Sequence, residues 1–159
     1  MSTYAAAVVV ASNRAAAGVY DDTTGPLIVE ALRADGWDVG DPVVVPDGDA
    51  VGAAISAAVS DGARAVLTTG GTGLTPTDLT PEVTRALLDR EVPGIADAIR
   101  AHGVGKGVAT AALSRGVAGT VGSALVVNLP GSRGGVKDGL AVVVPLLRHA
   151  VEQIEGSDH

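Results

Sequence analysis

Two aspartates and two glycine-rich strings hold most of the chemistry open to this chain. The first string, Gly70-Gly71-Thr72-Gly73, follows a short β-prone run at 65–69 and precedes a polar, proline-stiffened loop carrying Asp78. Glycine admits positive φ and lets a ligand approach the main chain closely. Consecutive backbone N–H groups in such a loop form a hollow suited to anions. A carboxylate beside bound phosphates repels them unless a cation lies between. Asp78 therefore points to Mg²⁺, which binds through one or two carboxylates together with phosphate oxygens. The second string, Pro130-Gly131-Ser132-Arg133-Gly134-Gly135, stands between an apolar run and a helical stretch. Two loops of this kind in one small domain favour a phosphate-bearing ligand. Neither string is a Walker A loop, because no Gly-Lys-Ser/Thr follows, and the dinucleotide fingerprint G-x-G-x-x-G is also missing.

Positioning these loops requires strands that end at them. Residues 5–11, AAAVVVA, read as a strand buried on both faces, and further apolar strands are read at 64–69 and 124–128. A further strand is expected at 39–45, ending at Pro46-Asp47-Gly48-Asp49. Asp47 or Asp49 could simply cap the helix that follows, which carries Val51, Ile55, Ala58 and Val59. Another helix follows Thr24-Gly25-Pro26, with Leu27, Ile28, Ala31 and Leu32 on one face. Thr80-Pro81-Glu82 reads as a helix start with Thr80 as N-cap, and that helix is expected to reach Arg90 with Val83, Ala86 and Leu87 inward. A break at Val92-Pro93-Gly94 precedes a short helix from Ile95 to Ala101. Residues 103–109 read as flexible, and Lys106 as a solvated lysine or a mobile phosphate contact. The final helix carries Val136, Leu140, Val143, Val144, Leu147, Val151 and Ile154, with Pro145 expected to kink or restart it. Strands alternating with helices predict an α/β fold: one three-layer domain, residues 1–159, around a mostly parallel sheet.

Composition removes several function classes. The 159 residues contain no cysteine, so disulfides, thiolate zinc sites and cysteine nucleophiles are excluded. The three histidines, His102, His149 and His159, show no metal-ligand spacing and read as surface residues. A net charge of −7 argues against general binding to nucleic acid or anionic lipid. No apolar run reaches the length of a membrane span, so a cytoplasmic protein is expected. An acidic protein that binds polyphosphates needs local relief from its own field, for which Arg14, Lys106, Arg115, Arg133 and Lys137 are candidates. Aromatic residues make up 2% of the chain, so the core must be built from Val, Leu, Ile and Ala.

Taken whole, the string T-T-G-G-T-G, the spaced Asp78 and Thr80-Pro81-Glu82 resemble the Mog/MoaB-type molybdopterin adenylyltransferases, the family that includes the N-terminal domain of gephyrin. Ala11-Ser12-Asn13-Arg14, Thr24-Gly25-Pro26, Val45-Pro46-Asp47, Pro93-Gly94-Ile95, Leu113-Ser114-Arg115-Gly116 and Asn128-Leu129-Pro130-Gly131-Ser132 follow the family's order along nearly the full chain. The resemblance implies transfer of AMP from ATP to the terminal phosphate of molybdopterin, with release of pyrophosphate. It places a catalytic carboxylate at Asp47, which with Asp78 would share one Mg²⁺ ion. It puts Gly70, Gly71, Thr72, Gly73, Pro130, Gly131 and Ser132 around the reactants, and Ser114 and Arg115 beside the pterin phosphate, although a plain turn suits Ser114 equally. Asn13 stands where relatives often carry an acidic or small residue. A homotrimer and a downstream metal-insertion protein are the implied partners. The alternative is a molybdopterin-binding scaffold that kept the fold without the transfer.

Overall fold

Three strands carry apolar side chains on both faces, and the molecule is layered around them. A computed structural model describes residues 3–157. The strands are β1 (Ala5–Ala11), β2 (Asp38–Val39), β3 (Val43–Val45), β4 (Ala65–Thr69), β5 (Arg90–Glu91), β6 (Ala118–Val121) and β7 (Ala124–Leu129). The helices are α1 (Asn13–Ala16), α2 (Thr24–Ala34), α3 (Asp49–Ser60), α4 (Thr80–Arg85), α5 (Pro93–Gly105) and α6 (Arg133–Ile154), with a 3₁₀ turn at Ala109–Leu113.

The sheet order is β2-β1-β4-β7-β6-β5, with β3 pairing alongside β2 on the outer edge of β1. β1, β2, β3, β4 and β7 run parallel, while β6 and β5 are antiparallel additions. Side chains alternate across the pleat. Ala6, Val8, Ala65, Leu67, Leu125, Val127 and Leu129 meet α2, α5 and α6 on one face. Val9, Ala11, Val66 and Val126 meet α3 and the α4 segment on the other. The expected three-layer α/β domain with a mostly parallel sheet is the observed one.

Several local expectations need correction. α4 ends at Arg85 rather than Arg90: Leu87 and Leu88 bond back only three residues, and Asp89 then donates its N–H to Thr120 O. Residues 90–91 are captured as an edge strand by β6. Val83 and Leu87 do pack inward, but Ala86 is exposed and Thr84 is buried in its stead. α5 is longer than expected because Pro93 starts it, and it runs on through the glycines at 103 and 105. The buried Gly103 lies against Ala111, where a side chain would strike the 3₁₀ turn, so the end of α5 packs closely on that turn. The β6–β7 hairpin was not legible, because a strand reading Ala-Gly-Thr-Val carries little β signal before its two-residue turn at Gly122-Ser123. Pro145 neither ends nor restarts α6, which is one continuous helix of 22 residues. Its ring and Ala141, whose carbonyl loses its donor, are both on the exposed side, where water can take the freed acceptor. His149 is exposed and His102 half-exposed, while His159 lies outside the described residues. Among the described residues no helix is long and apolar enough to cross a membrane.

Candidate active site

Parallel strands deliver their following loops to one edge, and here β1, β3, β4 and β7 bring Asn13, Asp47, the first glycine string and the second to the same rim. The two glycine loops touch. Gly131 approaches Gly70 so closely that an added side-chain carbon would stand 3.2 Å from the Gly70 Cα. Thr69 Oγ1 donates to Pro130 O at 2.7 Å, and Gly70 N–H donates to Leu129 O at 3.3 Å. Gly70 and Gly71 take φ of +91° and +68°, which only glycine adopts freely. Gly70 also passes directly against the Ala11 carbonyl, leaving no room for a β-carbon.

Both expected carboxylates face this loop. Asp47 Oδ1 would stand 2.6 Å from a β-carbon on Gly71, and Asp78 Oδ2 would stand 2.9 Å from one on Gly73. Asp47 does not cap α3: the N-cap is Gly48, with no side-chain bond, and Asp49 sits in the first turn. Instead Asp47 donates its backbone N–H to Asn13 Oδ1 at 2.9 Å, while its own Oδ1 is buried with no hydrogen-bond partner. Burial pushes the Asp47 carboxyl above its ordinary range, and the charge of Asp78 adds to the effect. The two acids are thus electrostatic neighbours. Asp78 is fixed by a tight turn, its Oδ2 accepting from Thr75 N–H at 3.0 Å and its own N–H donating to Thr75 O at 3.0 Å.

These features fit a divalent cation. A half-buried carboxylate with an unpartnered oxygen stands beside a second carboxylate. Although the charge of Arg115 is felt at Asp78, its guanidinium bonds go to Gly73 O, Asp78 O and Glu82 rather than to either aspartate's carboxylate. Among the described residues no third His, Asp or Glu joins the pair, so bound phosphates and water would have to complete a coordination sphere.

The segment 114–115 is laced onto the first loop. Arg115 donates from Nε to Gly73 O at 2.8 Å, from one terminal nitrogen to Asp78 O at 2.7 Å and from the other to Glu82 Oε2 at 2.7 Å. Its backbone N–H reaches Thr72 O at 2.8 Å, and Ser114 Oγ donates to the buried Thr72 Oγ1 at 3.3 Å. The guanidinium therefore holds the loop's carbonyls in place and neutralises Glu82. Ser132 caps α6, its Oγ accepting from Gly135 N–H at 3.0 Å.

A cavity of about 210 Å³ opens on one side of the touching loops, lined by Ser114, Pro130, Ser132, Gly135, Ile99 and Asp138. A second, about 170 Å³, opens on the other side against Ser12, Tyr20, Thr24, Thr69, Gly70 and Gly131. Of the expected cationic helpers, Lys106 pairs with Asp138 at 2.8 Å and Arg133 reaches Thr23 O at 3.3 Å, while Arg14 and Lys137 stand exposed on α1 and α6.

Two residues of this region escaped sequence reasoning. Asn13 had no assignable role until Asp47 was found bonded to it, 34 residues away. Asn128, inside β7, accepts from Val117 N–H and donates to Thr68 Oγ1 and Thr84 Oγ1, locking α4 under the site. An asparagine ending an apolar strand was the available signal.

The profile of the family described as "probable molybdopterin binding domain" matches residues 7–149. A molybdenum cofactor biosynthesis bifunctional protein of Synechococcus elongatus is 40% identical over 155 residues, covering 97% of this chain and 48% of that protein. The chain thus spans about half the length of the first curated relatives it matches. A molybdopterin adenylyltransferase of Pyrococcus furiosus is 35% identical over 158 residues, covering 94% of this chain and 93% of that protein. The solved structure of the molybdopterin biosynthesis Mog protein from Mycobacterium ulcerans superposes with a TM-score of 0.92 at 46% identity, covering 99% of this chain and all of that one.

Proposed function

The chain belongs to the molybdopterin-binding family of Mog and MoaB proteins, and on that premise we propose that it transfers AMP from ATP to the terminal phosphate of molybdopterin. An oxygen of the pterin phosphate attacks the α-phosphorus of ATP. A new phosphoanhydride bond forms, the α–β bond breaks, and pyrophosphate leaves. The attacking oxygen is already largely ionised at neutral pH, so no side-chain base is required. Catalysis then rests on positioning and on charge neutralisation.

One observation carries this reading: Asp47 and Asp78 face the same glycine loop, and an Asp47 oxygen is buried without a partner. Asp78 is the main anchor for Mg²⁺, and Asp47 assists it. When bound, the cation would offset charge on the phosphates as the two anions meet. The chain's own residues do the rest. The Gly70–Gly73 backbone gives phosphate oxygens close access to the main chain, and Arg115 keeps that backbone rigid through its bonds to Gly73 O and Asp78 O. Ser114 and the Pro130–Ser132 loop line the hollow in which a second reactant would lie. Half- or more-exposed apolar residues, among them Val19, Leu74 and Leu113, support the homotrimer that the family likeness implies, and light scattering checks it.

The deciding assay incubates the protein with molybdopterin and Mg-ATP and looks for adenylated pterin and pyrophosphate. Both products in equal amounts are expected. Pterin binding by calorimetry without either product would overturn the transferase reading in favour of a scaffold.

A further inference from the structure

Six threonines are buried among the described residues, and the hydroxyls of five are bonded. Thr24 reaches Asp22, Thr68 and Thr84 meet Asn128, Thr69 meets Pro130 O, and Thr72 accepts from Ser114. Thr80 is the exception: it is fully buried, and its Oγ1 has no partner. The expected N-cap role does not account for it. The cap position belongs to Leu79, no side-chain cap bond forms, and Thr80 lies within the first turn of α4. A buried hydroxyl left unbonded is costly, and a methyl group would fill the same space without that cost.

Its surroundings supply a reason. Thr80 N–H donates to Gly71 O at 3.1 Å, which seats the threonine over that glycine. A β-carbon on Gly71 would collide with Thr80 Oγ1 and stand 2.6 Å from Asp47 Oδ1. Among the described residues these two oxygens are the buried side-chain atoms without partners, and both lie against the face of Gly71 where a side chain would stand. Thr80 is β-branched and carries no charge, so it adds a fixed oxygen without adding to the repulsion between Asp47 and Asp78.

We propose that Thr80 belongs to the cation site: its hydroxyl, with Asp47 Oδ1, holds a water of the hydration shell of a divalent cation. Mg²⁺ gives up its waters reluctantly and depends on such outer partners. The inference rests on the reading of Asp47 and Asp78 as cation anchors and extends it to a residue on α4.

The test titrates Mn²⁺ into the full chain with α,β-methylene-ATP, which cannot be cleaved at the reacting bond, and follows free Mn²⁺ by electron paramagnetic resonance. Thr80→Val is expected to weaken Mn²⁺ binding by about tenfold, the lower range for loss of an outer-shell partner, and Thr80→Ser to retain most of it. Without cation, Thr80→Val should melt at or above the wild-type temperature. Wild-type Mn²⁺ affinity in Thr80→Val, with Asp47→Asn and Asp78→Asn impaired, would overturn the proposal and leave the carboxylate reading standing. Mn²⁺ binding equal in wild type, Asp47→Asn and Asp78→Asn would overturn both. A cation-free Thr80→Val that melts lower, with Thr80→Ser restoring it, would overturn the proposal by making the hydroxyl structural.

Discussion

Asn13 Oδ1 accepts the backbone N–H of Asp47 at 2.9 Å, tying the loop after β1 to the loop after β3. Asp47 is therefore held through its main chain, which leaves its carboxylate uncommitted. A carboxylate that had spent both oxygens on local hydrogen bonds would have less to offer a cation. Asn13 gives the position without adding negative charge beside Asp47 and Asp78.

Asn13→Ala should consequently slow adenylyl transfer by about tenfold, the lower range for loss of an outer partner in a cation site. The fall belongs in kcat, or in the apparent Mg²⁺ requirement, with little change in melting temperature because Asn13 is exposed. Steady-state kinetics over a Mg²⁺ series checks it.

Asp78→Asn should reduce transfer by about 10²–10³-fold, the scale for removing one preorganised electrostatic group from a transition state. Its turn with Thr75 survives, since an amide oxygen still accepts that N–H. Circular dichroism should show an unchanged fold, and pyrophosphate release measures the rate. Wild-type turnover in this variant would remove the anchor role.

Asp47 should show the opposite signs for activity and stability. Its folded-state pKa is raised above 3.8 by burial and then by Asp78, so folding makes its ionisation harder. Between the unfolded value and the raised one, the folded chain holds the extra proton. Stability therefore falls as pH rises through that window, and the whole penalty is present above it. Asp47→Asn should melt higher than wild type at pH 7 without cation, and the gap should close toward pH 4, while transfer is strongly impaired. Scanning calorimetry across that range checks the sign.

Gly71→Ala should fail on two counts. A non-glycine residue at φ +68° costs about 1–3 kcal/mol, and the new methyl group would collide with Thr80 Oγ1 and Asp47 Oδ1. Transfer should be lost along with several degrees of melting temperature. Gly134→Ala is the control, because nothing lies near its would-be side chain.

Arg115→Lys should loosen the loop. A lysine cannot reproduce the fork that joins Gly73 O, Asp78 O and Glu82. The guanidinium holds the Glu82 carboxyl below its usual range, so the pair is complete above pH 4.5 and is lost only as pH falls through the lowered value. Hydrogen exchange at neutral pH should therefore quicken across 73–82 in the variant, with transfer reduced at least tenfold.

Sequence alone determined the local devices. Runs such as AAAVVVA must be buried on both faces, and glycines at 70 and 71 are needed wherever the chain turns with positive φ; both facts lie within a few neighbouring residues. The strands at 5–11, 64–69 and 124–128, the two loops, both aspartates and the family likeness were legible for that reason. Tertiary structure decided which groups meet. Asn13 finds Asp47 across 34 residues, Arg115 finds Gly73 across 42, and Asn128 finds Thr68 across 60. Thr80 read locally as a cap and became an unbonded hydroxyl beside Asp47. Propensity and periodicity act along the chain, whereas the partner of a buried polar atom depends on which strands lie side by side, and only the folded sheet specifies that.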